Sequence, residues 1–291
     1  MEVVQVKYAV VGGDRRAAIL CALLARDGHR VCCYALERAD IPQEAVKTGC
    51  LQGCVYGADC VILPVPSEKG GLLNTPLSDS VLSMREVLET LWPGQIVVGG
   101  RLSDESCALA IREKLCIEDI MLRPDFTVGN AALTAECALG RLMDESGSAI
   151  AGSNVLVCGW GRIGKLLCLK LAALGAHVTA AARARADRAM AAALGLGSVD
   201  YDGLEAEIGA FGFIINTVPA RVLTDAALCM AADGAVIMEL ASPPGGFDRT
   251  LAENIGLHVV PAPGLPGLCA PESAARLIRS TVYDIMREQE E

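Results

Sequence analysis

Six residues in the second half of the chain, Gly159-Trp160-Gly161-Arg162-Ile163-Gly164, have the spacing of a dinucleotide-binding loop. The motif follows an apolar run, 154–158, and opens a helical pattern, which is the context that such a loop requires. Gly159 would permit the tight turn, Gly161 the close approach of a pyrophosphate, and Gly164 the packing of helix on strand. The free N–H groups at the start of the helix would bind the phosphates. The alternative is a glycine-rich turn without a ligand.

The residues that follow the next predicted strand distinguish NADP from NAD. An acidic side chain about 20 positions after the last glycine would bind the ribose 2′-hydroxyl of NAD. The chain instead has Arg183-Ala184-Arg185 and no acid before Asp187. An arginine complements a 2′-phosphate, so the sequence favours NADP, with Arg183 and Arg185 as its ligands. Asp187 is interpreted as the cap of a helix over 188–194.

Three loops after later strands are predicted to line the rest of the cofactor site, because ligands bind at the carboxyl ends of parallel strands. Asn216-Thr217-Val218-Pro219 forms the first loop, and we expect Asn216 and Thr217 near the nicotinamide ribose. The second loop contains Glu239 and Ser242, and the third contains Leu265. For these stiff, Pro- and Gly-rich loops, a purely structural role is the alternative.

The equivalent turn of the first half, Gly12-Gly13-Asp14-Arg15-Arg16, lacks the spacing for a dinucleotide. It also carries a carboxylate where the pyrophosphate would lie, so no second cofactor is expected there. Arg15 or Arg16, at the start of a predicted helix, could bind a substrate carboxylate. A solvated helix start is the alternative.

Composition limits the class of protein. The chain has 291 residues, 52% of them hydrophobic, and a formal net charge of −10. This length suits two domains, and the acidity argues against a nucleic-acid binder that tracks phosphates. No apolar run reaches the ~18 residues of a membrane span, and no secretory signal begins the chain, so we expect a cytoplasmic protein. The 13 cysteines form no C-x-x-C pair and are predicted to be reduced core thiols, with no metal site.

Short apolar runs alternate with helical patterns, which is typical of parallel sheets covered on both faces. The segments 8–34 and 155–182 each consist of strand, glycine turn, helix and strand. The sequence therefore predicts an α/β protein with two doubly wound parallel-sheet domains. These are a flavodoxin-like substrate domain over residues 1–126 and a Rossmann domain over 151–271, joined by a linking helix and turn over 127–150. Whether the C-terminal helix, 272–291, packs back on the first domain is left open.

Several motifs spread over the chain resemble a single family. They are VVGGDRR at 10–16, ILPV at 62–65, Asn130 with Thr134 and Glu136, LGAHV at 174–178 and APGLPGLCAP at 262–271. Through them the chain resembles the formate/glycerate and alanine dehydrogenase-like superfamily and, more closely, the A-subunits of dipicolinate synthases from spore-forming bacteria. Glu239 stands where that family usually has Asp.

The resemblance implies an activity. Family members oxidise 4-hydroxy-tetrahydrodipicolinate, or the dihydrodipicolinate formed by its dehydration, to pyridine-2,6-dicarboxylate with hydride transfer to NADP. The resemblance also implies a partner, a flavoprotein-like B-subunit, and a location in the mother cell of a sporulating bacterium; a homodimer is left open. Since the product is aromatic, the driving force is large and no strong histidine base is required.

A substrate with two carboxylates needs cationic or N–H groups to hold it. On the resemblance and the positions of the polar residues, we predict two groups of side chains. They are Asp14, Asn130, Thr134 and Glu136 as catalytic residues, and Arg16 and Ser67 as substrate ligands. Asn130 and Thr134 would bind a carboxylate or the ring nitrogen, and Asp14 or Glu136 would accept the proton.

Two other functions stay open at this stage. The chain could be an NADP-binding scaffold or regulatory subunit whose partner carries the catalysis. It could also be a two-domain dehydrogenase of the methylene-tetrahydrofolate type. That enzyme class would require a lysine in the cleft of the first domain, and the strand end at 64–67 does not supply one.

Overall fold

The computed structural model describes residues 5–290, which fall into two units. The first unit consists of the described residues up to Asn130 together with those from Ala270 onward, and the second is Ala131–Cys269. Residues 1–4 and 291, which belong to the predicted ranges of the first domain and the C-terminal helix, lie outside the described residues. No helix in the described part of the chain is long and apolar enough to cross a membrane.

Strands and helices alternate along the chain. The strands are β1 (Lys7–Val11), β2 (Arg30–Tyr34), β3 (Ala45–Lys47), β4 (Cys60–Ile62), β5 (Glu68–Lys69), β6 (Leu72–Leu73), β7 (Ile96–Gly99), β8 (Cys116–Asp119), β9 (Asn154–Cys158), β10 (His177–Ala181), β11 (Gly197–Val199), β12 (Phe213–Asn216), β13 (Val236–Glu239) and β14 (His258–Pro261). The helices are α1 (Arg15–Arg26), α2 (Leu51–Val55), α3 (Met84–Glu89), α4 (Asp104–Arg112), α5 (Pro124–Ser146), α6 (Arg162–Ala173), α7 (Arg185–Ala193), α8 (Leu204–Glu207), α9 (Asp225–Cys229), α10 (Arg249–Asn254), α11 (Leu265–Cys269) and α12 (Pro271–Glu290).

The first unit is built on a parallel sheet with the strand order β3-β2-β1-β4-β7-β8. The predicted flavodoxin-like sheet would have the order 2-1-3-4-5. The additional edge strand β3 gives the observed sheet the order 3-2-1-4-5-6 when its six strands are numbered along the chain. Apolar side chains cover both faces of the sheet, with α1 and α12 on one side and α2, α3 and α4 on the other. The strands between these two layers are buried on both faces, which explains their continuous apolar sequences.

The C-terminal helix α12 belongs to the first unit and packs against α1. Its apolar side chains Ile278, Val282 and Ile285 are buried in the same cluster as those of α1. At the C-terminal end of α1, the carboxylate of Asp27 accepts hydrogen bonds from two residues in the middle of α12. They are Arg279 Nη1, at 2.9 Å, and the Tyr283 hydroxyl, at 2.6 Å. The helix is therefore held by apolar burial and by a polar clasp at its middle.

His29 lies beside this clasp and gives it a pH dependence. The ring packs edge-on against Tyr8 and Tyr283, and its Nδ1 accepts a hydrogen bond from the Val6 N–H at 3.3 Å. Burial lowers the pKa of His29 from its ordinary 6.5, against the opposing charge of Asp27. The folded state therefore prefers neutral histidine, while the unfolded chain takes up a proton near the ordinary pKa.

The stability that His29 contributes should accordingly be present above pH 6.5 and be lost as the pH falls through the lowered value. Urea unfolding followed by circular dichroism from pH 7.5 to pH 5 measures the free energy of unfolding. His29→Gln retains an acceptor that does not titrate in this range, so the variant should lose less stability on acidification than the parent. Equal losses in the two proteins would contradict the assignment.

The second unit has a parallel sheet with the order β11-β10-β9-β12-β13-β14. This is the 3-2-1-4-5-6 order of a Rossmann domain. Strands are added on one side of β9 first and then on the other, so the strand order reverses between β9 and β12. The predicted fold class, two doubly wound parallel-sheet units, is confirmed. The carboxyl ends of β9, β10 and β12 therefore meet at the edge where such sheets bind nucleotides.

The cysteines are unpaired and mostly buried within the described residues. Cys54 and Cys168 show the consequence, because burial raises the pKa of each thiol to about 12. A thiol with so high a pKa is neutral at physiological pH and is a poor nucleophile and metal ligand. These side chains act as small apolar groups in the cores of the two units.

Candidate nucleotide-binding site

The three glycines of the loop between β9 and α6 have different surroundings. Gly159 has φ +107°, and a Cβ placed there would overlap the Thr217 hydroxyl. A Cβ at Gly164 would overlap the carbonyl oxygen of Gly159. A Cβ at Gly161 would meet no atom within 4 Å. The outer two glycines are therefore required by the protein's own packing, whereas the middle one faces open space.

The start of α6 is left without a cap. Gly161 is its N-cap residue and has no side chain to accept hydrogen bonds from the first turn. The corresponding helix of the first unit, α1, begins differently, because the Asp14 carboxylate accepts a hydrogen bond from the Arg16 N–H at 3.0 Å. Uncapped N–H groups at a helix start bind anions, and the helix dipole favours negative charge there. The geometry of α6 suits a pyrophosphate.

A cavity of about 360 Å³ opens beside this loop. It is lined by 159–161 from the glycine loop, by 182–184 at the end of β10, and by Asp187, Tyr201 and Val218. The glycine motif and the arginine that follows the next strand therefore share one cavity, although about 20 residues separate them in sequence.

Arg183 is exposed in this cavity, and its guanidinium has no hydrogen-bond or ion-pair partner among the described residues. Arg185 is also exposed and is the first residue of α7, whose N-cap residue is Ala184. The interpretation of Asp187 as the cap of a helix over 188–194 is wrong, because α7 begins three residues earlier. Asp187 lies in the first turn of α7, where its carboxylate is favoured by the helix dipole.

Tyr201 was not predicted as a site residue, although it lines the cavity. Its hydroxyl donates a hydrogen bond to the Ala181 carbonyl at 3.1 Å, and burial raises its pKa well above the ordinary value. The aromatic ring follows β11, a short edge strand that the sequence pattern did not reveal. Tyr201 lies two residues after the end of β11, so recognition of this strand is the signal that could have identified it.

The residues predicted at the ends of β12 and β13 lie close together, but they form hydrogen bonds mainly with each other and with their own loops. Asn216 is completely buried, and its Nδ2 donates to Glu239 Oε1 at 2.7 Å and to the Val218 carbonyl at 2.9 Å. Glu239 also accepts from the N–H groups of Ala241 at 2.9 Å and Gly246 at 2.8 Å. This network shapes both loops, and Val218 is the member that reaches the cavity wall.

The remaining predicted cofactor residues differ in exposure. The Thr217 hydroxyl donates to the Cys158 carbonyl at 2.8 Å, which ties the loop after β12 to the end of β9. Leu265 is buried at the start of α11, and Ser242 is half-buried. Neither Leu265 nor Ser242 lines the cavity beside the glycine loop.

Trp160 has an unusual environment in the glycine loop. Its indole is 7% exposed, and its Nε1 is a buried donor without a partner in the described part of the chain. The ammonium group of Lys165, in the first turn of α6, lies 5.9 Å from the indole ring centroid. The cation therefore lies on the same turn as the uncapped N–H groups, which adds positive charge to the candidate phosphate site.

The equivalent turn of the first unit is filled by the chain itself. The Gly13 N–H donates to the Asn74 carbonyl at 3.0 Å, and a Cβ at Gly12 would come within 2.9 Å of the Thr75 side chain. The segment after β6 thus occupies the space above the glycine turn. Two similar β-α-β units end in different surroundings, one closed and capped and one open.

Asp14 and Arg16, predicted to act on the substrate, are bound to each other. Arg16 Nε lies 3.0 and 3.2 Å from the two Asp14 oxygens, Arg16 Nη2 lies 2.8 Å from Oδ2, and the same Nη2 donates to the Val65 carbonyl. Both carboxylate oxygens of Asp14 are thus occupied by Arg16, and Oδ1 also accepts from the Arg16 N–H. We therefore do not retain Asp14 as the base.

Ser67 is also unavailable, because it is completely buried. Its hydroxyl donates to the Pro64 carbonyl at 2.8 Å and accepts from the Gly100 N–H at 2.9 Å. These bonds connect the ends of β4 and β7. The prediction of a substrate ligand at this position is corrected: Ser67 stabilises the loops.

Glu136 pairs with Lys170, with 2.8 Å between its Oε1 and Nζ. Lys170 is eight residues after the first residue of α6, or ~12 Å along the helix axis. Glu136 is thus bound away from the glycine loop and is not retained as a proton acceptor. Asn130 and Thr134 lie one turn apart on α5, Asn130 half-buried and Thr134 buried, and each has a partner in the structure.

Comparison with known proteins shows what this chain is similar to. Residues 7–121 match the family described as the N-terminal domain of the dipicolinate synthase A-subunit. The dipicolinate synthase A-subunit of Bacillus subtilis is 29% identical over 97% of this chain and 96% of its own length. The crystal structure of that protein superposes with a TM-score of 0.85 at 28% identity and covers 99% of both chains. The chain is thus similar to dipicolinate synthase A-subunits over nearly its whole length.

A second structure of this family, from Bacillus halodurans, has a TM-score of 0.84 at 26% identity and covers 96% of this chain and 97% of its own. The family resemblance predicted from the motifs is therefore confirmed. An L-alanine dehydrogenase structure covers 96% of the chain and 88% of its own with a TM-score of 0.64. At 13% identity, this match shows a dehydrogenase-like fold.

Proposed function

We propose that this chain is the NADP-dependent dehydrogenase subunit of a dipicolinate synthase. The observation that carries the proposal is the contrast between the two glycine turns. The turn in the second unit is uncapped, opens on a cavity and faces an unpaired Arg183, whereas the turn in the first unit is capped by Asp14 and covered by the segment at Asn74. A ligand with two phosphates and a further phosphate on the ribose fits the open turn.

Different residues of the cavity would bind different parts of the cofactor. The N–H groups of the first turn of α6 would hold the pyrophosphate, and Gly161 leaves the room that its approach requires. Arg183 would form charge-assisted hydrogen bonds to the 2′-phosphate, with Arg185 adding positive charge at the start of α7. When bound, NADP supplies the acceptor for a hydride.

The substrate that we propose is 4-hydroxy-tetrahydrodipicolinate or the dihydrodipicolinate formed from it by loss of water. Oxidation of the dihydro compound removes one ring hydrogen with its electron pair, which reduces NADP, and a second hydrogen as a proton, which leaves to water. The ring becomes aromatic, so the proton is lost readily and no strongly basic side chain is required. Two carboxylates remain to be held, and Asn130 and Thr134 are our proposed ligands for one of them.

A B-subunit is part of the proposal, because the relatives are named as A-subunits of dipicolinate synthase. Such an enzyme would work in the mother cell of a sporulating bacterium. The present chain would supply the nucleotide site, whereas the division of dehydration and oxidation between the two proteins is decided by measuring each alone. An NADP-binding subunit with a purely regulatory role is the competing function.

The first experiment incubates the purified chain with 4-hydroxy-tetrahydrodipicolinate, generated in situ, and NADP, with and without the B-subunit. Dipicolinate and reduced nicotinamide are followed together by their ultraviolet absorbance. We expect both to rise in equal amounts, and only when this chain and NADP are present. Dipicolinate formed without reduction of NADP would show that the nucleotide site is regulatory.

Replacement of Asn130 by alanine should reduce turnover while nucleotide binding survives. A hydrogen bond to a charged group contributes ~1.5–3 kcal/mol, so we expect a loss of roughly 10- to 100-fold in kcat/KM. The affinity for NADP, measured by calorimetry, should stay within about twofold of the parent value. Asn254→Ala, at the exposed end of α10, is the matched control. Unchanged turnover in Asn130→Ala would remove this residue from the substrate site.

A further inference from the structure

Three consecutive carbonyl groups at the end of β10 are held by side chains from other elements. Tyr201 donates to the Ala181 carbonyl at 3.1 Å. Arg188 Nη1 donates to the carbonyls of Ala182 and Arg183, both at 2.7 Å. The backbone that carries Arg183 is therefore fixed at each residue from the end of the strand to the start of α7.

Arg188 is mainly engaged in contacts within the protein. While Nη1 serves the two carbonyls, Nη2 lies 3.2 Å from Asp200 Oδ2, and the side chain is 19% exposed. Asp200 is anchored in turn, because its other oxygen accepts from the Asp202 N–H at 2.8 Å. The guanidinium thus connects the turn after β11 to the loop after β10, and both ends of the connection are fixed.

We propose that Arg188 is a positioning residue for the 2′-phosphate of NADP. It would hold the backbone of Arg183 so that the free guanidinium of Arg183 meets the phosphate without first being ordered. This inference rests on the proposed function. Arg183 would contact the phosphate directly, whereas Arg188 would act only through Arg183. A planar fork is needed for the role, because one Nη group must reach two carbonyls while the other reaches a carboxylate.

Asp187 makes the positioning matter for specificity. Its carboxylate lines the same cavity as Arg183 and would repel a 2′-phosphate, whereas it would accept a hydrogen bond from the 2′-hydroxyl of NAD. The preference between the two cofactors thus depends on which side chain is presented at the ribose. If the loop after β10 became more mobile, Arg183 would bind the 2′-phosphate of NADP less well. Asp187 is fixed in the first turn of α7, so its interaction with the 2′-hydroxyl of NAD would be unchanged.

The decisive variant is Arg188→Lys, since lysine retains the positive charge but cannot make the three contacts of the fork. Calorimetric titration of the purified chain with NADP and with NAD measures both affinities without any turnover. We expect roughly a tenfold loss of affinity for NADP and a change of less than about twofold for NAD. Asp200→Asn, which removes the ion pair but keeps the charge of Arg188, should shift the ratio of affinities in the same direction.

The alternatives give different results. If the charge of Arg188 alone mattered, Arg188→Lys would bind NADP like the parent, which would overturn the inference. If Arg188 only stabilised the fold, both affinities would fall together, which would overturn it as well. Arg249→Lys, an exposed pair partner of Glu253 on α10, is the matched control and should leave both affinities unchanged. Failure of the proposed function itself would show in the parent, as absence of a preference for NADP.

Discussion

Gly164→Ala should unfold or strongly destabilise the second unit. The added methyl group would overlap the carbonyl oxygen of Gly159, and that atom is backbone, so it has no rotamer with which to move away. Overpacking of a core costs ~1–3 kcal/mol where side chains can adjust, so the cost here should reach or exceed the upper end. Thermal unfolding should show a midpoint lowered by roughly 6 °C or more, and NADP binding should be lost.

Gly161→Ala is the matched variant, because its methyl group would meet no protein atom within 4 Å. We expect the midpoint of thermal unfolding to stay within about 2 °C of the parent, while the affinity for NADP and NAD falls roughly tenfold or more. The two variants separate packing from ligand approach within one motif. Normal nucleotide binding by Gly161→Ala would show that no phosphate comes close to this loop.

Arg183→Asp should reverse the cofactor preference. The substitution removes the guanidinium that would bind the 2′-phosphate and puts a carboxylate in its place, next to Asp187. The variant loses a charge-assisted hydrogen bond and gains a repulsion. Together these changes should lower the affinity for NADP by roughly 100-fold, whereas NAD should bind as well as before or better. Calorimetric titrations of parent and variant with each nucleotide measure the change.

The control for this prediction is Arg249→Asp, which changes the charge of the second unit equally at an exposed helix start away from the cavity. Its affinity for both nucleotides should remain near that of the parent. An equal weakening of NADP by the two variants would mean that net charge, and no local contact, decides the affinity. Equal affinity of the parent for NADP and NAD would remove the assignment of Arg183.

The central strands and their glycine turns were predictable from local sequence. The patterns at 7–11, 30–34 and 154–158 predict strands with the bounds observed for β1, β2 and β9, because central strands of a covered sheet are largely apolar and stand out against their neighbours. The edge strands β3, β8 and β11 were missed. They are three or four residues long and partly exposed, and they carry polar residues or glycine, so no apolar run marks them. The first domain was predicted to be flavodoxin-like, whereas β3 gives its sheet the same 3-2-1-4-5-6 order as the sheet of the second unit.

One helix shows how capping decides a boundary. The sequence pattern of 79–91 predicts one helix over the whole segment, whereas α3 begins at Met84. Ser83 forms a capping box with Glu86, in which each side chain accepts a hydrogen bond from the other residue's backbone. Since these bonds satisfy the N–H groups of the first turn, the chain before Ser83 is released from the helix. Apolar periodicity alone does not contain this information.

The sequence by itself determined the two α/β units, the dinucleotide motif, the arginine after β10 and the resemblance to dipicolinate synthase A-subunits. Each of these depends on neighbours along the chain or on spacings within one β-α-β unit. Only the tertiary structure decided which glycine turn is open, because the segment that covers Gly12 and Gly13 comes from residues about 60 positions away. It also decided that Asp14, Ser67 and Glu136 are bound to protein groups and that Arg188 holds Arg183. A side chain's partners are set by what the fold brings beside it, and local sequence carries little information about those distant contacts.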